Sequence, residues 1–229
     1  MCGRYTTNLD IPALERFLAG LQAEPVAEEE RLNVSPTQVV AAVRQEDPAG
    51  PPILGPMVWG LIPSWAKDRS IGSKLINARG ETVAEKPSFR SAFARRRCLI
   101  PATGFYEWGV PEGFSRKMPV WFHWPGEAVL AMGGLWERWT DRATGEVLTT
   151  CTIVTVGANE LVKPIHERMP VLLAPEDWAR WLDPGEKSPM DLVRPFPAGR
   201  MQARVVGREV NNPRNQQGDL LGEVMPEGE

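Results

Sequence analysis

Proline and glycine cut this chain into short pieces. Twenty-two prolines and 21 glycines are spread along 229 residues, so many tight connections between short elements are favoured. The runs left between them are of β type: Gln38–Arg44, Ile53–Trp59, Arg97–Ile100, Pro119–Trp124, Ala128–Leu135, Val147–Val156 and Met201–Val206. Helical spacing is confined to insertions. Asp10 is placed to cap a helix with Pro12 in its first turn and Ile11, Leu14, Phe17, Leu18 and Leu21 on one apolar face. Further helices are predicted at Ser88–Arg95, at Pro175–Leu182 opened by Ala174 or Pro175, and over Pro189–Val193. Regular strand-helix-strand alternation is missing, so the predicted fold class is α+β: a curved, mainly antiparallel or barrel-like sheet with short flanking helices. One domain over residues 1–206 is expected. From Gly207 the sequence turns to Asn, Gly, Gln and Glu, and residues 207–229 read as a partly disordered extension.

Charge and cysteine usage narrow the class of partner. The formal net charge is −3, so nucleic acid cannot be held by a general basic field, and any such contact must come from a local patch. Cys2, Cys98 and Cys151 are odd in number and far apart, which suits a reducing compartment better than a disulfide framework. A zinc site is equally unsupported. The N-terminus lacks a basic region followed by an apolar run, and no segment is apolar for long enough to span a bilayer, so a cytoplasmic, membrane-free protein is expected. GxGxxG and GxxxxGK are both absent.

Cys2 is the residue with the most unusual chemistry. Removal of Met1 before a small second residue would expose an α-amine and a thiol on one residue, with reference pKa values of about 8 and about 8.5. Such an aminothiol attacks an aldehyde first through nitrogen, forming a Schiff base, and then closes through sulfur to a five-membered thiazolidine. A cation nearby would enlarge the thiolate fraction, and Arg4 is a candidate. Standing alone, a cysteine at position two would more readily be incidental or a small packing residue.

It stands with MCGRY at the start, NVSPTQ (Asn33–Gln38), WGLIPSWAKD (Trp59–Asp68), INARGET (Ile76–Thr82), SFRSAF (Ser88–Phe93), RRCLIPATGFYEW (Arg96–Trp108) and IHERMPV (Ile165–Val171). This ordered set resembles the SRAP (SOS response-associated peptidase) family, whose members capture abasic sites in single-stranded DNA on an N-terminal cysteine. Gly80 stands where the family often has alanine, and Glu167 is an acidic variant in the HxRMP segment.

The resemblance implies that Cys2 is the acceptor, with Asn77, Glu107 and His166 around it. Asn77 offers donor and acceptor without titrating; read alone it could as well be a turn or cap residue. Glu107 lies among aromatic residues that would desolvate it and raise its pKa toward that of a working acid-base group, the bland alternative being an exposed sheet glutamate. His166 could shuttle protons or bind the neighbouring phosphate; a lone histidine is more often structural, and His123 in its apolar run reads that way. The resemblance points to Arg4, Arg79 and Arg168 as phosphate ligands. Trp65 and Trp108 are selected from nine tryptophans as base-stacking residues, with Trp59 a weaker candidate. Arg95, Arg96 and Arg97 form the densest cation run and read equally as a solvated helix end or a DNA path.

A covalent acceptor of abasic single-stranded DNA or single-strand/double-strand junctions follows, acting as a monomer without cofactor or metal and nucleoid-associated when bound. A lyase step through the Schiff base and peptidase-like removal of Met1 accompany that reading. The alternatives are a cysteine peptidase pairing Cys2 with His166, and a non-catalytic single-strand-binding module.

Overall fold

In the computed structural model the described residues are 2–27, 29–125, 130–216 and 218–226. Along the chain they form β1 (Tyr5–Thr7), α1 (Ile11–Phe17), β2 (Gln22–Ala23), β3 (Arg31–Val34), β4 (Val39–Arg44), β5 (Ile53–Trp59) and β6 (Asn77–Arg79). There follow α2 (Arg90–Arg95), β7 (Arg97–Ala102), β8 (Gly104–Gly109), β9 (Met118–His123), β10 (Leu130–Thr140) and β11 (Val147–Gly157). β12 (Arg168–Pro170), β13 (Leu172–Leu173), α3 (Pro175–Leu182) and β14 (Gln202–Val205) complete the set, with 3-10 turns between.

Two sheets pack on one core. The first runs β14-β9-β8-β1-β3, and the second runs β12-β11-β10-β7-β4-β5-β2 with β6 and β13 added at its margins. β11 also pairs in parallel with β5, matching Thr150 to Val58 and Cys151 to Trp59. That pairing joins β11, β10, β7, β4 and β5 into a closed ring, removing two exposed sheet edges. The fold is therefore α+β with a barrel-like, mainly antiparallel core. The ring closes tightly because β10 carries glycine where it bends: a Cβ on Gly134 would meet Cys98 Sγ and the Thr152 carbonyl oxygen, each at 2.8 Å. Trp59, Trp178 and Trp181 are fully buried in that core, and truncating any one to alanine would cost about 3–5 kcal/mol.

The first helix begins where its cap predicts and stops earlier than the apolar spacing suggests. The Asp10 carboxylate accepts from Ala13 N at 2.9 Å, but α1 ends at Phe17 because Gly20 takes a left-handed φ of +73° that turns the chain away before Leu21. α2 starts two residues later than Ser88. α3 matches its expected limits, with Ala174 at the cap and Pro175 in the first turn. The predicted strand at Ala128–Leu135 is described only from Leu130 and continues to Thr140; Ala128 and Val129 lie outside the described residues.

Two expectations need correction. The arginine run is not a solvated cluster: Arg97 is 1% exposed and donates to the carbonyls of Phe93, Trp181, Asp183 and Glu186, which satisfies the C-terminal end of α3. Arg96 pairs with Glu137 at 2.8 Å, leaving Arg95 as the exposed member. The segment from Gly207 does not fray over its described part. Val210 and Leu220 are buried, Val206 bridges to Glu223, and Val210 packs with Tyr106, Trp121 and Val206. A few apolar side chains spaced through a polar sequence suffice to anchor it, while Gln217 and residues 227–229 lie outside the described residues.

Candidate functional site

The antiparallel pairing of β1 with β8, which sets Tyr5 against Phe105, continues as a backbone bond from Tyr106 N to Arg4 O of 2.9 Å. Extending that ladder runs residues 2–4 alongside the GFYEW segment. β6 approaches from the other side, paired in parallel with β11 at Ile153 and Asn77. Trp59 locks the two together, its Nε1 donating to Ile76 O at 2.9 Å while its ring lies edge-on to Tyr5 at 5.4 Å. Asn77 Nδ2 then donates to the Cys2 carbonyl at 2.8 Å, and Asn77 Oδ1 is buried with no hydrogen-bond partner among the described residues.

Strand alternation in β8 separates two faces. Phe105 and Glu107 face the main core with Tyr5 and Phe122, whereas Tyr106 and Trp108 face the outer cluster around Val210. Glu107 is 4% exposed, with Oε1 3.9 Å from His166 Nδ1. His166 reaches it because β8 ends in Gly109, where a Cβ would meet Ile165 O at 2.7 Å; glycine lets the 161–166 turn close on the strand. Arg168 N donates to His166 Nδ1 at 3.0 Å. Arg168 O lies 3.2 Å from the same nitrogen, so the Arg168 backbone can meet Nδ1 in either tautomer.

Burial raises the pKa of both acidic groups of the site. Burial lifts the Glu107 carboxyl above its ordinary value, with the His166 imidazole among the opposing influences. Burial also pushes the Cys2 thiol well up, and the Glu107 charge adds to that. On the side of Arg4, its backbone N–H opposes that rise. Its guanidinium is directed to Asn33 Oδ1 at 2.5 Å and Val210 O at 2.7 Å, and lies 5.6 Å over the Trp108 ring.

The remaining predicted residues divide. Arg79 shares the strand face of Asn77 by two-residue alternation and is exposed. Arg168 is engaged: both terminal nitrogens grip the Glu81 carboxylate, and Nη2 also donates to Thr155 O at 2.6 Å. That grip holds Glu81 below the usual carboxylate range, and the Arg79 charge contributes. Trp108 is half-buried, with Nε1 donating to Asn211 Oδ1 at 2.7 Å. Trp65 is 55% exposed beside Lys67, Ile71 and Lys74, a patch that includes no member of the Cys2 group. Trp59, by contrast, is core, and His123 stacks on Trp121 at 4.0 Å. Among the described residues there is no cluster able to hold a metal and no helix long and apolar enough to cross a membrane. Met1 lies outside the described residues.

The sequence profile of the SOS response associated peptidase (SRAP) family matches residues 1–213. The chain belongs to the SRAP family. This SRAP chain is 39% identical over 230 residues to the Bacillus subtilis (strain 168) abasic site processing protein YoaM, covering 96% of itself and 97% of that protein. It is 33% identical over 203 residues to the abasic site processing protein HMCES of Pongo abelii, covering 75% of itself and 57% of that longer protein. In three dimensions it is similar to the crystal structure of a protein from Bacteroides thetaiotaomicron, with a TM-score of 0.84, 26% identity, and 98% and 100% of the two chains covered.

Sequence reasoning on this SRAP chain missed Asn33, Glu81 and the segment from Val210 to Gln216. Asn33 and Glu81 do sit inside the NVSPTQ and INARGET strings; nothing in either string announces that one will bind Arg4 and the other Arg168. Gly80, next to Glu81, also has a local reason: a Cβ there would meet Val193 Cγ1 at 2.4 Å.

Proposed function

We propose that this SRAP protein processes abasic sites in DNA: it binds a single strand or a strand junction, and Cys2 forms a thiazolidine with the lesion. The observation that carries the reading is the Asn77 amide on the Cys2 carbonyl, beside a buried carboxyl and an imidazole 3.9 Å apart. In this mechanism hydrolysis first removes Met1, consuming one water and freeing the amine of Cys2. The amine adds to the aldehyde carbon of the ring-opened deoxyribose, and the carbinolamine loses its hydroxyl as water to leave a Schiff base. The thiol then adds across the C=N bond, sulfur to carbon and proton to nitrogen, so that the net reaction of aldehyde with aminothiol releases one water.

A buried Glu107 whose carboxyl is raised above its ordinary value suits the step in which the departing hydroxyl needs a proton. His166, on the partly exposed side, suits proton exchange with solvent. The elevated thiol pKa favours an order in which nitrogen attacks first, and it disfavours general thiolate peptidase chemistry. Arg79 follows Asn77 on β6 and Arg4 follows Cys2 ahead of β1, Arg168 joins them when Glu81 gives way, and Trp108 and Trp65 offer stacking faces.

Intact-mass measurement tests the proposal, before and after mixing with a single strand carrying one abasic site. The expected product is the chain without methionine plus the oligonucleotide less one water. A chain lacking methionine that stays at its own mass after incubation overturns the covalent reading.

A further inference from the structure

We infer that Asn33, clamped by the C-terminal segment Val210–Gln216, is a positioning residue that presents the Arg4 guanidinium to a DNA phosphate. The inference rests on the DNA-binding reading above and adds to it a second layer of residues that touch no DNA.

Asn33 is fully buried in β3, one position before Val34, the partner of Tyr5. Its amide is saturated. Oδ1 accepts from Arg4 Nη1 at 2.5 Å, and Nδ2 points at three carbonyls of the same segment: Asn212 and Asn215 at 2.9 Å, and Val210 at 3.2 Å. The Asn33 carbonyl in turn accepts from Gln216 Nε2 at 2.9 Å. Arg4 Nη1 spends its second hydrogen on Val210 O at 2.7 Å, and Asn211 holds the indole of Trp108 on which the guanidinium rests. Asn33, Arg4 and Trp108 therefore meet on a single stretch of chain, anchored by the fully buried Val210.

The consequence lies in what this arrangement leaves over. A guanidinium has five N–H groups in a rigid plane. Both hydrogens of Nη1 are spoken for, whereas Nε and Nη2 make no hydrogen bond among the described residues, and Nε is buried. The buried Nε has no accessible face to offer, so Nη2 is the donor left over for a phosphate oxygen. The clamp thus fixes the rotation of the guanidinium, with Nη1 held on Asn33 and Val210 and Nη2 left over. Without Asn33 the side chain would lose an acceptor for Nη1 and sample other rotamers, so that an ordering cost would fall on each binding event.

The test is a salt titration of fluorescence anisotropy with a short unmodified single strand, on wild type, Arg4→Ala, Asn33→Ala, the double variant and Gln216→Ala. Arg4→Ala and Asn33→Ala should each weaken binding about fivefold to tenfold and lower the salt slope by about 0.7, the share of one phosphate on a single strand. The double variant should bind no more weakly than Arg4→Ala, since Asn33 acts only through Arg4. Asn33→Ala should raise the concentration of abasic DNA needed for half-maximal adduct rate by the same factor by which it weakens binding. Gln216→Ala, which removes an exposed side chain and leaves the core intact, should weaken binding by about twofold to threefold through the same route; it decides the matter if Asn33→Ala does not fold. Unchanged affinity in Asn33→Ala or Gln216→Ala, or losses that add in the double variant, overturns the inference. If Arg4→Ala is itself silent, the DNA-binding reading of Arg4 fails instead.

Discussion

Replacing Glu107 by Gln separates acid-base chemistry from shape, because the amide keeps the volume and hydrogen-bonding reach of the side chain but cannot give up a proton. Glu107 is 4% exposed, and burial raises its carboxyl from the ordinary 4.5. Loss of one positioned acid-base group should slow adduct formation about a hundredfold or more, which is about 2.7 kcal/mol of barrier. Affinity for unmodified single strand should change little. The wild-type rate profile should carry a carboxylate inflection displaced above 4.5 that the variant lacks. Stability supplies an independent check of sign. A carboxyl whose folded pKa is raised contributes stability fully below its unfolded pKa and loses it as pH rises through the folded pKa. Glutamine has no such loss, so the melting temperature of the variant minus that of wild type should grow as pH rises above the ordinary carboxylate value of 4.5. Adduct formation is followed on denaturing gels and stability by thermal melts across that range. Equal rates for the two proteins, together with a pH-independent melting difference, would refute both the burial argument and the catalytic assignment.

Cys2→Ser should abolish heat-stable adduct while leaving reversible anisotropy binding close to wild type, and an undiminished adduct on a denaturing gel would remove the thiol from the mechanism. Glu81→Gln should release Arg168, tighten single-strand binding and raise the salt slope by about 0.7 at little cost in melting temperature, since an exposed pair contributes about 0–1 kcal/mol; weaker binding would mean that the ion pair itself builds the site. Arg97→Ala should lower the melting temperature by about 6–12 °C, from about 3 kcal/mol for the carbonyls it leaves unpaired, with an unchanged salt slope. The reverse, an intact melting temperature and a reduced slope, would route the DNA over the α2 end.

The pattern of short apolar runs was enough to place most core strands and the α+β class, because burial of alternate residues is written locally and survives without knowledge of partners. Ile53–Trp59 and Pro175–Leu182 match their structural limits outright. The short strands β1, β3, β6 and β12 carry no such signal: three or four residues cannot display a period, and they become strands only by pairing, which for β1 with β8 and for β6 with β11 joins residues far apart in the chain.

Family membership was likewise legible, since ordered strings of residues identify a chain whatever each residue does. Which residues are free to act was decided only in three dimensions. Arg4, Arg97 and Arg168 read alike in sequence, yet one is clamped with Nη2 left over, one is consumed by helix carbonyls, and one grips a carboxylate. The Asn-rich stretch from Val210 looked like a tail because single polar residues have no local reason to order. Its backbone carbonyls find Asn33 across about 180 residues of chain, with 177 between Val210 and Asn33. Hydrogen-bond satisfaction of that kind is a property of the folded surface, and no local pattern encodes it.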